Sequence, residues 1–315
     1  MIKLSFVIPC YGSEHTLEKV IAEIKETVKA GRGYDYEIIL VDDNSPDDVF
    51  GVIKKLCAAD KKIKGVRLTK NFGQQSALMA GLRAAGGNLV ICLDDDGQSP
   101  ASEIYKLIEK VDEGYDVVYA GYGMKKQSLL KNFGSWLNSF MFEVILNKPP
   151  HIKLSSFFVM KRIVSEEMIK YKNPYPYNIG MILSITRKIT SVQCEDRQRL
   201  TGRTGYTFAK LVGLWLNGFI NFSVKPLRVA TVLGFICGLF GLGFGIYTVI
   251  YKILNPAVPA GYSAIISMVS FIGGMNMLLL GLVGEYIGRI YLSINRNPQY
   301  VVRETVNIKN NVKEL

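Results

Sequence analysis

Leu89-Val90-Ile91-Cys92-Leu93-Asp94-Asp95-Asp96-Gly97-Gln98-Ser99-Pro100 is an apolar run that stops at three adjacent carboxylates. A sheet interior does not bury three unpaired charges, so residues 89–93 read as a strand that surfaces at Asp94. Ser99 and Pro100 then read as a helix N-cap and first helical residue, with Glu103 in the first turn. The acidic cluster therefore occupies a strand-to-helix corner, where open α/β sheets bind ligands. Asp94 and Asp96 can aim both carboxylates to one side of a short turn and offer oxygens to a hard divalent cation, Mg²⁺ or Mn²⁺. Taken alone, the motif reads as a solvated acidic turn; the segments around it reverse that reading.

Strands and helices alternate from residue 4 to about 122. Leu4 to Pro9 is an apolar strand, and Leu17, Val20, Ile21, Ile24 and Val28 recur at helical spacing. Glu37 to Val41 is a second strand, ending in Asp42-Asp43-Asn44-Ser45-Pro46-Asp47-Asp48, where Ser45 reads as an N-cap and Pro46 as the first helical residue. Ile63–Leu68, Leu89–Leu93 and Val117–Tyr119 complete five strands, with a helix over Gln74–Ala85 closed by Gly86-Gly87. This alternation predicts a parallel sheet covered on both faces. Pro9-Cys10-Tyr11, Asp42-Asp43, Lys70-Asn71 and Asp94–Asp96 each follow a strand's C-terminal end, so four segments line one crevice and a nucleotide site is the preferred reading. No G-x-G-x-x-G or Walker A motif occurs, which argues against a dinucleotide oxidoreductase or a P-loop ATPase.

The chain has 315 residues, a net charge of +11 and a pI near 9.3. Such a balance points to nucleic acid or an anionic membrane face as neighbour. No zinc-finger spacing, RNA-recognition signature or single basic helix is present, so nucleic acid is not expected as a partner. Cys10, Cys57, Cys92, Cys194 and Cys237 lack C-x-x-C spacing and indicate neither a disulfide framework nor a zinc site. The two histidines, His15 and His151, have no nucleophile pattern around them, and His15 is expected at the surface just inside a helix.

Apolar residues concentrate after Leu227. Val229 to Tyr251 carries no charge and as a helix is about 34 Å long, enough to cross a bilayer; Ala264 to Val283 is a second span. Lys225 and Arg228 precede the first, Arg289 and Arg296 follow the second, and Asn255–Tyr262 between them is uncharged, which places both termini in the cytosol. Met1–Cys10 reads as a strand, not a secretory leader. Two amphipathic stripes, one over Leu129, Phe133, Trp136, Leu137, Phe140, Met141 and Val144 and the other over Leu211, Leu214, Trp215, Phe219 and Phe222, read as helices in the membrane interface or as core helices. The expected organisation is a nucleotide-binding core over 1–125, an acceptor-side segment over 126–226, two transmembrane helices over 227–288 and a cytosolic tail over 289–315.

Ile8-Pro9-Cys10-Tyr11, Val41-Asp42-Asp43-Asn44-Ser45, Asn71-Phe72-Gly73, Asp94-Asp95-Asp96-Gly97-Gln98, Arg199-Leu200-Thr201-Gly202 and Gly284-Glu285-Tyr286-Ile287-Gly288-Arg289-Ile290-Tyr291 occur in this order. The set resembles glycosyltransferase family 2, and within it the polyprenyl-phosphate glycosyltransferases, both dolichyl- and undecaprenyl-phosphate. The resemblance implies a Rossmann-like GT-A nucleotide-sugar domain, with interfacial helices and a C-terminal transmembrane hairpin. It implies that Asp43, with Asp42 beside it, contacts the nucleobase and that Pro9 and Tyr11 wall it. Glu14 substitutes for an acid missing at Gly12-Ser13, and Lys70 and Asp95 belong to the same nucleotide site. Asp94 and Asp96 hold the cation on the diphosphate, with Gln98 close to sugar or metal. Where relatives often read Asp-Phe-Arg, this chain has Ser156-Phe157-Phe158, and Gly205 replaces a frequent lysine. The relatives also imply a homotetramer.

The expected function is inverting transfer of a sugar from a nucleotide-sugar, a UDP-sugar favoured, to a polyprenyl monophosphate at the cytosolic face of the plasma (inner) membrane. A phosphate monoester is already largely ionised at neutral pH, its second pKa being about 6, so the acceptor needs no general base. Arg199, Arg203, Lys125, Lys126 and Lys131 are candidates to hold the acceptor phosphate, Arg199 with a catalytic role. Rival readings are a processive polysaccharide synthase, for which a Gln-x-x-Arg-Trp motif is missing, and a non-catalytic membrane-anchored sugar-nucleotide scaffold or sensor.

Overall fold

The structure, a computed structural model, describes residues 2–31, 33–122, 152–195, 197, 225–255, 261–295 and 297–308. They divide between two units, one drawn from Met1–Asn217 and Arg296–Leu315, the other from Gly218–Asn295.

In the first unit the expected alternation is present. β1 (Ile2–Cys10), α1 (Leu17–Ala30), β2 (Tyr34–Asp42), α2 (Val49–Ala59), β3 (Ile63–Leu68), α3 (Gln74–Ala84), β4 (Leu89–Cys92), α4 (Ile104–Asp112) and β5 (Val117–Gly121) follow in order. After them come β6 (Phe158–Lys161), α5 (Arg162–Ile169), α6 (Asn178–Ile185), β7 (Ile189–Gln193) and, beyond the apolar helices, β8 (Val302–Val306). The strands form one sheet in the order β7-β5-β6-β4-β1-β2-β3-β8. The apolar stripe read in α1 is its buried face: Leu17, Val20, Ile21, Ile24 and Val28 pack with Leu4, Phe6 and Ile8 of β1. The opposite face of β1 meets α3 so closely that a Cβ at Gly81 would lie 2.3 Å from Val7 Cγ1, which only glycine permits.

Five details depart from the sequence reading. The sheet is mixed rather than parallel, because β6 runs antiparallel between β4 and β5 and β8 runs antiparallel along β3. The expected boundary at residue 125 is not an edge of the fold, since β6, β7 and β8 all belong to the same sheet. Helix α2 starts at Val49, not at Pro46, because Ser45 is drawn into bonds with Asp42 and Gly12 that hold the chain in a turn. After Pro100, whose ψ of 126° is extended, a short 3₁₀ turn over Ala101–Glu103 leads into α4, while Ser99 bonds the Tyr122 hydroxyl instead of capping. His15 is exposed but lies in the turn before α1, not inside the helix.

The second unit contains α7 (Lys225–Leu254) and α8 (Tyr262–Ile294). Each holds a window long and apolar enough to cross a membrane, Ala230–Tyr247 and Phe271–Ile294. Phe235, Phe240, Leu242, Leu280, Ile287 and Ile290 are exposed along them, an apolar surface of the kind that lipid or protein covers.

At the N-terminal ends of the strands, the buried Glu37 carboxylate ties three strands and the turn before β4. Lys3 Nζ donates to it at 2.7 Å, Ser5 Oγ at 2.6 Å, Lys64 Nζ at 2.9 Å and Gly86 N–H at 2.6 Å. Burial alone would raise its pKa, but these donors outweigh burial and hold it at about 2, against an ordinary 4.5. Because the folded value is depressed, the stabilisation is full above about pH 4.5 and is lost as the pH falls toward 2. Glu37→Gln is expected to cost about 3 kcal/mol at pH 7, seen as a lower melting temperature whose gap from the parent closes as thermal scans move into that acid window.

Candidate functional site

The sheet register brings three strand ends together. Pro9 pairs with Val41 and Cys10 with Asp42, while β4 ends at Cys92 beside Val7. The loops that follow emerge side by side, and carboxylates staple them. Asp43 is buried and accepts the Phe72 N–H at 2.7 Å on one oxygen and the Gly73 N–H at 2.8 Å on the other. Gln74, the first residue of α3, then reaches back: its Nε2 donates to Asp94 Oδ1 at 2.7 Å. On the other side of Asp94, Ser156 Oγ donates to Oδ2. Asp95 accepts the Tyr11 N–H at 2.9 Å, and its carbonyl accepts the Thr16 hydroxyl at 2.8 Å. Asp96 Oδ1 accepts the Gln98 N–H at 3.0 Å across Gly97, whose φ of +71° gives the turn its left-handed step.

Burial pushes both Asp43 and Asp95 up to about 6. For Asp43 the two backbone donors offset part of that rise, and the neighbouring Asp42 adds to it. Asp42 itself is fully enclosed: Oδ1 accepts the Ser45 N–H at 2.7 Å, and Oδ2 lies 3.1 Å from Arg67 Nε, paired in charge but out of line for a hydrogen bond. Its pKa too is raised by burial.

The expected site residues therefore separate by position. Asp94, Asp96 and Gln98 are half-buried on one turn, and the Tyr11 ring is 54% exposed at the neighbouring loop rather than packed into the core. Pro9 is half-buried at the end of β1, and Lys70 is exposed with its ammonium 5.0 Å from the Phe72 ring centre. Asp42, Asp95 and Glu14 instead brace loops. The Glu14 carboxylate accepts the Asp48 N–H at 2.9 Å, while Asp47 accepts the Glu14 N–H at 3.0 Å, locking the β1–α1 loop to the start of α2. Lys125, Lys126, Lys131, Arg199 and Arg203 lie outside the described residues, as do both amphipathic stripes. Arg197, two positions before Arg199 in the sequence, donates its N–H to the Gln98 carbonyl at 3.1 Å and pairs with Glu23 at 3.0 Å.

Two contributors escaped the sequence reading as site residues. Gln74 directly follows the Asn71-Phe72-Gly73 segment, and Ser156 stands at the departure from the acid common in relatives; each turns out to grip Asp94. The Asp94 and Asp96 carboxylates offer oxygen ligands, which suit a hard divalent cation. Partners of the two carboxylates include the Gln74 amide, the Ser156 hydroxyl and the Gln98 backbone N–H. Among the described residues no group of three or more His, Cys, Asp or Glu is arranged for a metal. A cation here would take its remaining oxygens from a diphosphate and water, the usual habit of Mg²⁺.

Residues 5–169 match the sequence profile of Glycosyl transferase family 2, and residues 225–290 match the GtrB C-terminal hairpin. The chain is 32% identical over 315 residues to the uncharacterized glycosyltransferase YkcC of Bacillus subtilis, covering 98% of this chain and 96% of the relative. It is 29% identical over 307 residues to the undecaprenyl-phosphate 4-deoxy-4-formamido-L-arabinose transferase of Klebsiella pneumoniae, covering 96% and 94%. Among solved structures, glucosyl-3-phosphoglycerate synthase of Mycobacterium tuberculosis, in complex with Mn²⁺ and UDP-glucose, superposes with a TM-score of 0.52 at 19% identity, over 69% of this chain and 79% of that one. At that identity the likeness concerns the fold, the GT-A arrangement expected from the sequence.

Asp43 gives the site a pH signature. Its folded pKa of about 6 lies above the ordinary 3.8, so between those values the native state holds a proton that the unfolded chain releases. Its contribution to stability accordingly rises as the pH falls. The melting temperature of the parent minus that of Asp43→Asn is expected to increase from pH 6 to pH 4; a gap independent of pH would contradict the raised value.

Proposed function

The chain belongs to glycosyltransferase family 2, and from that membership we propose that it moves a sugar from a nucleoside diphosphate donor, a UDP-sugar by preference, to a polyprenyl monophosphate. The observation that carries the proposal is the carboxylate turn at Asp94–Asp96 in a chain whose two long apolar helices leave the site-bearing unit and return to it. Because β8, which follows α8, pairs with β3, both ends of the helical pair join the same folded unit. Two crossings thus leave both ends on one side, and the flanking Lys225, Arg228, Arg289 and Arg296 favour the cytosolic side. Such a tether suits an acceptor that is itself a lipid. The relative from Klebsiella pneumoniae, named for an undecaprenyl-phosphate acceptor and alike over 96% of this chain, supports the same class of acceptor.

In this reading the exposed Tyr11 ring and Pro9 flank the nucleobase, and the Asp43 carboxylate accepts the ring N–H that uracil presents. Asp94 and Asp96 would hold a divalent cation on the diphosphate. A cation held by these two residues would supply charge neutralisation for the departing nucleoside diphosphate. Gln74 and Ser156 hold the Asp94 carboxylate in place beforehand, and Gln98 is tied into the same turn by its backbone N–H. An acceptor phosphate oxygen attacks the anomeric carbon from the side opposite the diphosphate, so configuration inverts; the ionised acceptor needs no base from the protein. Arg199, Arg203, Lys125, Lys126 and Lys131 are the residues proposed to hold that phosphate.

The test is transfer from a panel of radiolabelled UDP- and GDP-sugars to undecaprenyl phosphate in detergent, with Mn²⁺ or Mg²⁺ and with EDTA. Label is expected in the organic phase from a UDP-sugar, and to disappear with EDTA. Asp96→Asn is expected to lower transfer by about 100-fold or more with an unchanged melting temperature. Nucleotide binding with no lipid product from any donor would contradict the reaction, and full transfer by Asp96→Asn would contradict the role given to that carboxylate.

A further inference from the structure

We propose a second binding site, for a phosphate-bearing anion, in the hollow at the opposite end of the sheet. Its volume is about 380 Å³, within the range of small-molecule sites. It is lined where the strands begin, so Lys3 on its wall and Cys10 beside the donor site stand at opposite ends of β1, about 23 Å apart.

The charges around this hollow do not balance. Five cations line it, Lys3, Lys61, Lys62, Lys64 and Arg83, against two carboxylates, Asp35 and Glu37. Lys62 pairs with Asp35 at 2.6 Å, and Lys3 and Lys64 share the single Glu37 carboxylate. Among the described residues neither Lys61 nor Arg83 has an ion pair, which leaves an excess of three positive charges. The carbonyl end of α3 adds a partial negative charge, but Lys64 already answers it by donating to the Ala84 carbonyl at 3.2 Å. Confined in a concavity, such an excess concentrates the field on whatever anion enters.

A second observation concerns Arg83. Its Nη2 donates to the Ile169 carbonyl at 3.2 Å, yet its Nε is buried with no hydrogen-bond partner among the described residues. Beyond that bond the guanidinium stands 5.9 Å from the Tyr300 ring centre, and among the described residues no carboxylate answers its charge. Lys61 makes only a long contact, its Nζ 3.4 Å from Asn307 Oδ1. Asn307 is in turn anchored by bonds from its amide to the Cys57 and Ile63 carbonyls at 2.7 and 2.8 Å, fixing one rim of the hollow. The one aromatic ring in the lining, Tyr36, already carries the Lys62 ammonium 4.7 Å from its centre. Tyr36 also packs against the hydrophobic core, so among the described residues the lining suits a phosphate better than a nucleobase, the phosphate supplied by a small soluble compound or by a phospholipid headgroup.

Titration calorimetry on the full chain in detergent, with EDTA and saturating UDP, tests the proposal using inorganic pyrophosphate in one arm and dihexanoyl phosphatidic acid in the other. At least one is expected to bind with a stoichiometry of one per chain, and to weaken about tenfold or more in Lys61→Gln and in Arg83→Gln. Whichever arm shows that dependence identifies the source. Lys61 is exposed and bonds only an amide, so Lys61→Gln decides the matter if Arg83→Gln disturbs the fold. Binding of neither ligand, or binding that Lys61→Gln leaves unchanged, would overturn the site.

Discussion

The buried Asp43 carboxylate fixes the relation between the strands and the loops that carry chemistry. By accepting the Phe72 and Gly73 amide hydrogens it sets where α3 begins, and Gln74, next in the chain, reaches Asp94 from that start. Ser156, two residues before the antiparallel strand β6, closes the series from the other side of Asp94. Asp95 does the same for the β1 loop through Tyr11, and Glu14 and Asp47 tie that loop to the start of α2. Carboxylates can accept several such bonds at once, which is why acids, and not amides, recur at these corners. The cost is desolvation, visible as the rise of Asp43 and Asp95 to about 6. At neutral pH both remain ionised, so the braces hold.

The strands and helices up to residue 121 were legible because their patterns are clean: continuous apolar strands, a 3.6-residue stripe in α1, and polar residues at the strand ends. β6 and β8 were not. β6 is four residues long, and in Phe158–Lys161 nothing tells a strand antiparallel to its neighbours from a parallel one. β8 reads Val-Arg-Glu-Thr-Val, a partly exposed edge strand whose place against β3 depends on a partner more than two hundred residues earlier. Helix starts failed at Ser45 and Ser99 for one reason. Each serine had a tertiary partner, Gly12 or Tyr122, that a local capping rule does not contain.

At the candidate site, residue types alone located the acids but not their division of labour. Asp42 and Asp43 are adjacent, yet the pleat sends one to Arg67 and the other to the amides before α3. Asp94, Asp95 and Asp96 divide in the same way: the central acid braces Tyr11, and the outer two remain on the turn. That split strengthens the D-x-D reading, since the two acids proposed for the cation are those not spent on supporting the β1 loop. At the far end of the sheet Glu37 answers two of five cations with one carboxylate, leaving an opposite electrostatic character at each end of the same strands.

The most direct test of the site is crystallographic: anomalous scattering from Mn²⁺ in crystals of the full chain grown with UDP. The account predicts a peak within coordinating distance of Asp94 and Asp96, about 2.0–2.6 Å from their oxygens, with the uracil between Tyr11 and Asp43. UDP bound elsewhere, or Mn²⁺ seated away from both carboxylates while UDP is present, would contradict it.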